Sequence, residues 1–575
     1  MSVSMKNVSA SYGEEETWAL KDISLEVNRG EVVGILGPTG SGKTTLFMTL
    51  KGILPHILPG RVRGQISIDG KEAITGKVAG AVGLVLPDPN VSIVALTVED
   101  DVAFGPQCMG LPTGEIQKRV DESLELFRLR GYEKRVTYTL SGGESQATCV
   151  ASIYSMKPRV FALDEPLSMI DPVGRETVLR AIQKLTKELG ATVLIAESGD
   201  TIEYIAPICE RFVVLNNGQK IADGPAREIL QDRQLLNRIR IRPPQVTELA
   251  YDLSLPKDKV PLTVEEAAAL ISKLLRPSKS KGTESAHKVS QPAGSRIIEV
   301  RNLHHTFPGL RPVEALKGIN LDINQGEMVG LIGQNGSGKT TLALHLVGIY
   351  RPTNPDAKVI VDGVELHNPK TPLTEVVKHI NYVFQNPDNQ LFSDTVEEEV
   401  TYALKMLDLP QEEINRKVDS ILTLYGMQDD RKKPIMYLTK DKKTFLAQAS
   451  VLVMNPKIIV VDEPTTGLDH EMGEKVMTIL RRLNREENRT ILIITHNMNL
   501  VAKYADRLVV MSNGQILLDG PTGEVFSKTD ALKQCSISPP QITRLGQSLN
   551  LRPDVLTVEE MTDLLKDRVS TRSNP

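Results

Sequence analysis

The chain has 575 residues, of which 40% are hydrophobic and 24% charged, and its formal net charge at pH 7 is −4. This length is too great for one ordinary hydrophobic core and indicates about two to four domains. The small negative charge argues against a nucleic-acid-binding surface over the whole chain. We expect no signal peptide, because the N-terminal sequence MSVSMKNVSASYGEEE has no apolar h-region, and no transmembrane helix, because no window approaches about 18 uninterrupted apolar residues. Any membrane role would then come through a partner.

The four cysteines are widely scattered and form no CxxC pair. This usage is typical of small hydrophobic residues buried in a reducing compartment, not of a disulfide or zinc framework. The cysteines that we expect to be buried are Cys108, Cys149, Cys209 and Cys535.

Short β-branched runs alternate with longer amphipathic segments along the chain. The runs that we expect to form buried strands in the first half are VVGIL at 32–36, VFAL at 160–163 and TVLIA at 192–196. A glycine-rich turn follows the first run and is predicted to open a helix. Alternating strands and helices predict an α/β fold with a mainly parallel sheet covered on both faces.

The second half of the chain repeats the first. EVVGILGPTGSGKTTL at 31–46 returns as EMVGLIGQNGSGKTTL at 327–342, and VFALDEP at 160–166 returns as IIVVDEP at 458–464. The repeats keep their order at a nearly constant offset of about 296 residues, which indicates a tandem duplication. A segment rich in Ser, Lys, Gly and Pro lies between the copies and predicts a flexible linker. The expected organisation is a first domain at 1–242, its helical extension at 243–275, the linker at 276–296, a second domain at 297–537 and its extension at 538–575.

Two segments fit the phosphate-loop pattern GxxxxGK[ST], each between a predicted strand and a helix. Backbone N–H groups of such a loop cradle phosphates at a helix N-terminus, where the helix dipole also favours anions. Lys43 and Lys339 would reach the β- and γ-phosphates of ATP, and Thr44 and Thr340 would ligate Mg²⁺. The other candidate nucleotide-binding residues of the loops are Gly37, Pro38, Thr39, Gly40, Ser41, Gly42, Gly333, Gln334, Asn335, Gly336, Ser337 and Gly338.

A DEP sequence ends an apolar run in each half. An acidic pair at a strand end is usually a helix cap or a solvated turn, but an upstream phosphate loop favours a catalytic interpretation. Asp164 and Asp462 would then bind Mg²⁺, while Glu165 and Glu463 would activate water.

The segment LSGGESQ at 140–146 resembles the signature of ABC-type ATPases, the soluble motors that power membrane transporters. With the phosphate loops, the DEP sequences and FQNPDNQLF at 384–392, the resemblance covers nearly the whole chain. Each half also ends with PPQ and LTVEE elements, which look like the C-terminal region of energy-coupling factor ATPases. Those ATPases energise the uptake of vitamins, vitamin precursors, cobalt or nickel.

In this family two nucleotide domains face each other head to tail, and each ATP lies between the phosphate loop of one domain and the signature of the other. The resemblance implies that the two halves pair with each other within the chain. It also implies that Tyr12 and Phe307 stack on adenine, although both could instead be ordinary packed aromatic residues. Ser141, Gly142 and Gly143 would complete the ATP site of the opposite half.

The second half has Thr439, Lys440 and Asp441 where the first has its signature serine and glycines. Glycines let the signature helix approach the γ-phosphate, and side chains at these positions obstruct that approach. Asp441 also adds a negative charge facing phosphate. Lys440 could partly compensate as a cation, but it cannot restore the geometry.

Two further elements are altered in the first half. Gln385 is placed to contact Mg²⁺ and the attacking water, and its counterpart is Pro87. His496 fits the switch histidine that holds the γ-phosphate, and its counterpart is Ser198, or Asp200 if the alignment slips by two residues. All the alterations fall on one of the two expected composite sites. We therefore expect the site of the second phosphate loop to hydrolyse ATP and the other mainly to hold nucleotide.

The leading hypothesis is an ATPase that couples hydrolysis to solute uptake from the cytoplasmic face of the cell membrane. Its partners would be a membrane-spanning T-type subunit and a substrate-binding membrane subunit, with no nucleic acid. One alternative is the ATPase of a sugar or nucleoside importer, against which the PPQ and LTVEE elements argue. Another is a ribosome-associated ABC protein that binds RNA. That class predicts a long charged helical linker and two complete sites, and this sequence has neither.

Overall fold

The computed structural model describes residues 2–13, 17–72, 79–140, 142–167, 172–197, 201–256, 260–275, 294–308, 312–405, 409–551 and 554–569, together with the single residues 170, 199 and 407. The chain forms two compact units, residues 1–277 with 561–575, and residues 278–560. Each unit contains one of the two phosphate loops.

Ten strands of the first unit form two sheets. The strands are β1 (Val3–Tyr12), β2 (Leu20–Val27), β3 (Val32–Leu36), β4 (Gly60–Ile68), β5 (Lys71–Glu72), β6 (Val82–Val85), β7 (Val160–Asp164), β8 (Thr192–Glu197), β9 (Arg211–Asn216) and β10 (Gln219–Pro225), all within the described ranges. One sheet is antiparallel with the order β2-β1-β4-β5, and the other has the order β10-β9-β3-β8-β7-β6. In the larger sheet all neighbours are parallel except the edge pair β9 and β10.

The described part of the first unit also contains eleven helices. They are α1 (Lys43–Lys51), α2 (Ile53–His56), α3 (Val98–Cys108), α4 (Thr113–Leu126), α5 (Gly142–Met156), α6 (Pro172–Leu189), α7 (Ile202–Ile205), α8 (Ala226–Gln231), α9 (Arg233–Arg238), α10 (Gln245–Asp252) and α11 (Val264–Leu274). One core lies between helices and the larger sheet, and a second joins the two sheets to α1. β3, β7 and β8 are buried along their whole length, which confirms the three predicted buried strands.

The second unit repeats this arrangement. Its strands are β11 (Arg296–Phe307), β12 (Val313–Asn324), β13 (Met328–Gly333), β14 (Lys358–Val361), β15 (Val364–Glu365), β16 (Ile380–Val383), β17 (Ile458–Asp462), β18 (Thr490–Ile494), β19 (Arg507–Ser512) and β20 (Gln515–Pro521). The sheet orders are β12-β11-β14-β15 and β16-β17-β18-β13-β19-β20. The predicted α/β class, with a mainly parallel core sheet in each half, is confirmed, and each half also contains an antiparallel sheet.

The helices of the second unit follow the same order along the chain. They are α12 (Lys339–Leu346), α13 (Leu373–Val376), α14 (Val396–Lys405), α15 (Gln411–Tyr425), α16 (Lys440–Leu452), α17 (His470–Glu487), α18 (Met498–Tyr504), α19 (Thr522–Ser527), α20 (Thr529–Gln534), α21 (Gln541–Ser548) and α22 (Val558–Leu565). The last of these helices crosses the boundary between the two units.

The LTVEE elements are helix caps. In the first, the Thr263 side chain accepts from the backbone N–H of Glu266, and the Glu266 carboxylate accepts from the backbone N–H of Leu262 at 2.9 Å. The second repeats both hydrogen bonds with Thr557 and Glu560. This reciprocal arrangement satisfies backbone donors that a helix leaves unpaired at its start. The elements therefore have a structural role of their own.

The expectation that all four cysteines are buried is wrong at one position. Cys149, Cys209 and Cys535 are buried, whereas Cys108, the last residue of α3, is exposed. Among the described residues no helix is both long and apolar enough to cross a membrane.

Candidate functional site

Each phosphate loop leads from the central strand of the larger sheet into a helix. The Lys43 ammonium donates to the Gly37 and Pro38 carbonyls at 2.7 and 3.0 Å. The Lys339 ammonium donates to the corresponding carbonyls, Gly333 and Gln334, at 2.9 and 3.0 Å. Both lysines are thus folded back over their loops, where they would meet the phosphates of a nucleotide. The Ser41 and Ser337 hydroxyls are buried without a hydrogen-bond partner in the described parts of the chain.

The last glycine of each loop is required by the backbone. Gly42 and Gly338 have φ angles of 104° and 99°, in the left-handed region. A Cβ on Gly42 would lie 2.9 Å from the Ala19 carbonyl, and one on Gly338 would lie 2.7 Å from the Ala315 carbonyl. Any other residue would meet both strain and a clash with backbone. The glycine lets α1 and α12 begin directly at the lysine.

In the second unit, Asp462 at the end of β17 accepts two hydrogen bonds on one oxygen. The Thr340 hydroxyl donates to its Oδ2 at 3.1 Å and the Tyr382 hydroxyl at 2.5 Å. Burial raises the pKa of Asp462 to about 6, against the lowering effect of the Tyr382 hydrogen bond. The predicted metal ligands Thr340 and Asp462 are therefore adjacent, and a hydroxyl and a carboxylate suit Mg²⁺.

Glu463 is held in an unusual conformation beside His496. Its φ of 49° is left-handed, which strains a residue other than glycine. The His496 ring donates from Nδ1 to Glu463 Oε1 at 2.6 Å, and the Thr495 hydroxyl donates to Oε2 at 2.9 Å. Burial alone raises the pKa of Glu463, but the charge of His496 and these hydrogen bonds outweigh burial, so the pKa is lowered. An ionised carboxylate is the form that a general base needs.

Gln385 is not brought to this cluster. It follows β16 at an exposed position, and within the described ranges no hydrogen bond joins it to Asp462 or Glu463. Side chains of this kind often reach the reacting groups only when the substrate is bound. Its role stays a prediction.

The strand registers show which residues of the two units correspond to each other. Val82 pairs with Val160 in the first unit, as Ile380 pairs with Ile458 in the second. The counterpart of Tyr382 is therefore Leu84 in the first unit, and Pro87 takes the place of Gln385, as the sequence predicted.

The first site lacks the hydrogen bond that the tyrosine hydroxyl donates in the second site. Asp164 Oδ2 is buried without a hydrogen-bond partner among the described residues. Burial raises the pKa of Asp164 to about 6, offset in part by a hydrogen bond from Thr44. The Thr44–Asp164 pair predicted to bind Mg²⁺ is thus present, with fewer hydrogen bonds than its counterpart. Glu165 keeps the left-handed φ, at 47°.

The first unit has a second carboxylate where the other has a threonine. Asp164 pairs with Ala196 as Asp462 pairs with Ile494, so Glu197 takes the place of Thr495. Glu197 is fully buried, and the Thr201 hydroxyl donates to it at 2.5 Å. Burial, and then the charge of Glu165, raise the pKa of Glu197 to about 8. The two candidate counterparts of the switch histidine, Ser198 and Asp200, lie outside the described residues.

The signature segments both begin a helix, α5 at Gly142 and α16 at Lys440. A Cβ on Gly142 would meet nothing within 4 Å in its described surroundings. In α16 the Lys440 side chain instead covers Gly467. A Cβ added to Gly467 would lie 2.7 Å from the Lys440 ammonium. The predicted signature residue Ser141 lies outside the described residues.

The two predicted adenine-stacking residues end the first strand of each unit. Tyr12 is 37% exposed, and its hydroxyl lies 3.0 Å from the Thr45 hydroxyl at the start of α1. Phe307 is 36% exposed. Both rings therefore present area to solvent near the helix that follows the phosphate loop.

Sequence reasoning missed three residues at these sites, namely Tyr382, Thr495 and Glu197. Tyr382 lies inside an apolar run, where it was indistinguishable from a packed aromatic residue. The exchange of Thr495 for Glu197 could have been found, because a glutamate at the end of a buried β-branched run is rare without a role.

A family model described as ABC transporter matches residues 20–168 and 316–466. An ABC transporter ATP-binding protein of Methanosarcina mazei is 34% identical over 579 residues, which cover 98% of this chain and 97% of the relative. One from Caldanaerobacter subterraneus is 34% identical over 571 residues and covers 98% of both chains. Among solved structures, cbiO1 from Clostridium perfringens, described as part of the ABC transporter complex cbiONQ, is 34% identical over 44% of this chain and 99% of its own, with a TM-score of 0.38.

Phosphate loops at the carboxyl ends of parallel strands, next to an acidic strand end, define a P-loop ATPase. The chain belongs to the ABC transporter ATP-binding family, as a tandem member with two nucleotide-binding domains. It binds and hydrolyses ATP, as predicted from the sequence.

Proposed function

We propose that this ATPase couples ATP hydrolysis to solute uptake through a separate membrane complex, with one hydrolysing and one nucleotide-holding site. The main support is the set of hydrogen bonds that the two carboxylates of the second unit accept: Asp462 from the Tyr382 hydroxyl, and Glu463 from the Thr495 hydroxyl and the His496 ring. The first unit lacks these three donors. The proposed solute class is a vitamin, a vitamin precursor, cobalt or nickel, on the resemblance of the PPQ and LTVEE elements to energy-coupling factor ATPases.

In the complete site, Glu463 accepts the proton of the attacking water. The bond from His496 Nδ1 orients the Glu463 carboxylate, and we assign the other ring nitrogen to the γ-phosphate. Thr340 and Asp462 would hold Mg²⁺, with Gln385 as a further ligand once nucleotide is present. Bound magnesium neutralises charge on the β- and γ-phosphates. Lys339 turns from its loop carbonyls to the same phosphates.

In the first unit, Lys43, Thr44 and Asp164 retain the groups for binding nucleotide with Mg²⁺. Turnover there is limited because Pro87 replaces the glutamine and Glu197 replaces the threonine that donates to the base. Loss of one electrostatic donor typically lowers a rate about 10²–10³-fold, and loss of a positioning group about 10²–10⁴-fold. We therefore assign this site to nucleotide holding.

Pairing of the two halves within one chain is part of the proposal, on the resemblance to the family. The signature residues Ser141, Gly142 and Gly143 would then face the ATP of the complete site. The altered segment, Lys440 with Asp441, would face the other ATP. The domain bounds predicted from the sequence are proposed unchanged.

Exposed apolar side chains next to the catalytic segments support a membrane-subunit partner. After β16, Phe392 is 65% exposed and packs edge-on against Tyr402, which is 47% exposed, with ring centroids 4.8 Å apart. The corresponding positions of the first unit, Val94 and Phe104, are 65% and 49% exposed. Solvent-facing apolar pairs of this kind mark interaction sites. We propose that the chain is held peripherally on the cytoplasmic face of the membrane through this surface.

Purification of the tagged chain from solubilised membranes tests the partner. We expect a hydrophobic transport subunit, and with it a substrate-binding membrane protein, to copurify with the parent. The double variant Phe392→Ser with Tyr402→Ser should lose this partner, whereas Leu517→Ser, at a leucine that is 48% exposed on the edge strand β20, should keep it. Copurification of ribosomes without a membrane protein would overturn the proposal.

A further inference from the structure

The second unit contains a cluster of four rings that the first unit lacks. It consists of His305 and Phe307 on β11, His345 on α12 and Tyr350 after α12. The His305 ring lies edge-on to Phe307 with centroids 4.6 Å apart, edge-on to His345 at 4.7 Å, and stacked on Tyr350 at 5.1 Å. Phe307 is also edge-on to Tyr350, at 5.8 Å. His305 therefore contacts all three other rings.

The histidines are buried but poorly hydrogen-bonded. His305 is 8% and His345 is 1% exposed. His345 Nδ1 donates to the Thr341 carbonyl at 2.8 Å, which leaves Nε2 as an acceptor. That atom and His305 Nδ1 are buried without a hydrogen bond of normal geometry in the described parts of the unit, although the Arg351 backbone interacts with both rings and opposes the effect of burial on their pKa. Burial lowers the pKa of both rings, so both are neutral near pH 7. Their contacts with one another and with Phe307 are therefore ring contacts, not ionic or hydrogen-bonded ones.

The first unit fixes its aromatic residue in another way. The positions of His305, His345 and Tyr350 are occupied there by Ala10, Thr49 and Leu54. The Tyr12 hydroxyl is instead held by the Thr45 hydroxyl at 3.0 Å. Phe307 has no hydroxyl, so a hydrogen bond of this kind is impossible in the second unit.

We infer that His305, with His345 and Tyr350 behind it, positions the Phe307 ring to stack on the purine of the nucleotide bound at the second phosphate loop. This inference rests on the proposed adenine-stacking role of Phe307. Edge-to-face contacts are favoured by the charge distribution of aromatic rings and fix their relative orientation. A ring held in place before binding loses less freedom when a base stacks on it. The three residues are positioning residues, and we expect them to act on the nucleotide only through the Phe307 ring.

Ligand binding to the full chain in a Lys43→Ala background, which weakens binding at the first loop, tests this inference. The probes are ATP and inorganic tripolyphosphate, which has the phosphates but no base. We expect His305→Leu to weaken ATP binding about three- to tenfold, the range of one ring–ring contact. Binding of tripolyphosphate should not change. His305→Phe, which replaces the ring, should restore ATP affinity.

The neighbouring His304→Leu is the matched control, because His304 points to the other face of β11, where it contacts Glu314 and Asn302. It should bind ATP like the parent. Unchanged ATP affinity in His305→Leu, or an equal loss for both probes, would overturn the inference. Phe307→Ala separates the stacking role of Phe307 from the positioning role of His305. If it weakens ATP binding but not tripolyphosphate binding, the stacking proposal stands whatever His305→Leu shows; if it weakens neither, the stacking proposal itself fails.

Discussion

At the scale of single residues, one pair of carboxylates separates the two sites. Asp462 accepts from both Thr340 and Tyr382, while Asp164 has a buried oxygen without a partner in the described chain. A buried acceptor left unpaired costs about 1–3 kcal/mol, so Asp164 is held less firmly than Asp462. The Tyr382 hydroxyl thereby orients a proposed metal ligand without being one.

Replacement of Tyr382 by phenylalanine removes only that hydroxyl. We expect turnover to fall about ten- to a hundredfold, because a hydrogen bond to a charged group contributes about 1.5–3 kcal/mol. The Mg²⁺ concentration for half-maximal ATP binding should rise as well. Leu84→Phe, the same final residue in the first unit, is the control and should change neither quantity. Equal behaviour of the two variants would show that the hydroxyl has no role.

The buried Glu197 makes a distinct prediction about stability. The pKa of Glu197 is raised from its ordinary value of 4.5 to about 8. At a pH between these two values, the carboxyl group holds a proton in the folded state and releases it in the unfolded state. Stability from this group is therefore lost as the pH rises through that window, by roughly 2–3 kcal/mol between pH 6 and 8. In Glu197→Gln the hydrogen bond from Thr201 can persist without the titration. Measured by calorimetry, the Tm of Glu197→Gln should fall less between pH 6 and pH 8 than the Tm of the parent. An equal fall in the two proteins would refute the raised pKa of Glu197.

Residues that belong to a recognisable sequence pattern were predictable from the sequence. Residues whose role depends only on their contacts in the folded chain were not. The phosphate-loop lysines and the DEP carboxylates combine a fixed pattern with a fixed position at a strand end. The role of Tyr382 depends on the hydrogen bond from its hydroxyl to Asp462, and no local sequence pattern indicates that these two residues meet. Cys108 was misjudged for a similar reason, because its exposure depends on where α3 ends.

At the scale of elements, the two signature helices share their position but not their N-termini. α5 begins at Gly142, beside which a side chain would have open space, and α16 begins at Lys440, whose side chain covers Gly467. The buried strands were predictable because short continuous apolar runs next to turn residues are typical of strands covered on both faces. The use of LTVEE as a helix cap was not inferred, since the capping bonds of Thr263 and Glu266 depend on where the helix begins.

Gly142→Asp tests the proposed approach of α5 to phosphate. The unit tolerates a Cβ at this position, and an acidic residue in the first turn of a helix stabilises it by about 0.3–1 kcal/mol. We therefore expect Tm to be unchanged or slightly higher while ATP hydrolysis falls at least about 100-fold. Asp441→Gly, which restores a glycine at the α16 position that corresponds to Gly143, should change hydrolysis little. A small loss in Gly142→Asp would remove the signature from the catalytic account.

At the scale of the whole molecule, the duplication keeps both phosphate loops and lets the catalytic groups diverge. Binding needs the loop lysine and threonine, which both halves have, whereas hydrolysis needs several oriented groups together. Because these groups act as a set, loss of one lowers the benefit of the others. The fold of two similar units is therefore compatible with unequal chemistry.

We expect each chain to bind two ATP in the presence of Mg²⁺, as measured by equilibrium dialysis. The only tryptophan, Trp18, precedes β2 in the first unit, and the adjacent Ala19 carbonyl is close to Gly42 of the phosphate loop. Its fluorescence should respond to ATP at the first loop, so that Lys43→Ala removes the response and Lys339→Ala retains it. A stoichiometry of one would mean that the altered site does not hold nucleotide.

Steady-state ATP hydrolysis by Glu463→Gln and Glu165→Gln decides whether one of the two sites carries out the turnover. Glutamine keeps the shape and hydrogen bonding of each side chain but removes its basicity. Hydrolysis should almost vanish in Glu463→Gln, by about 10²–10⁴-fold, because this residue is the base of the complete site. It should remain within about twofold of the parent in Glu165→Gln, whose site contributes little turnover. Comparable losses in the two variants would contradict the assignment of hydrolysis to one site.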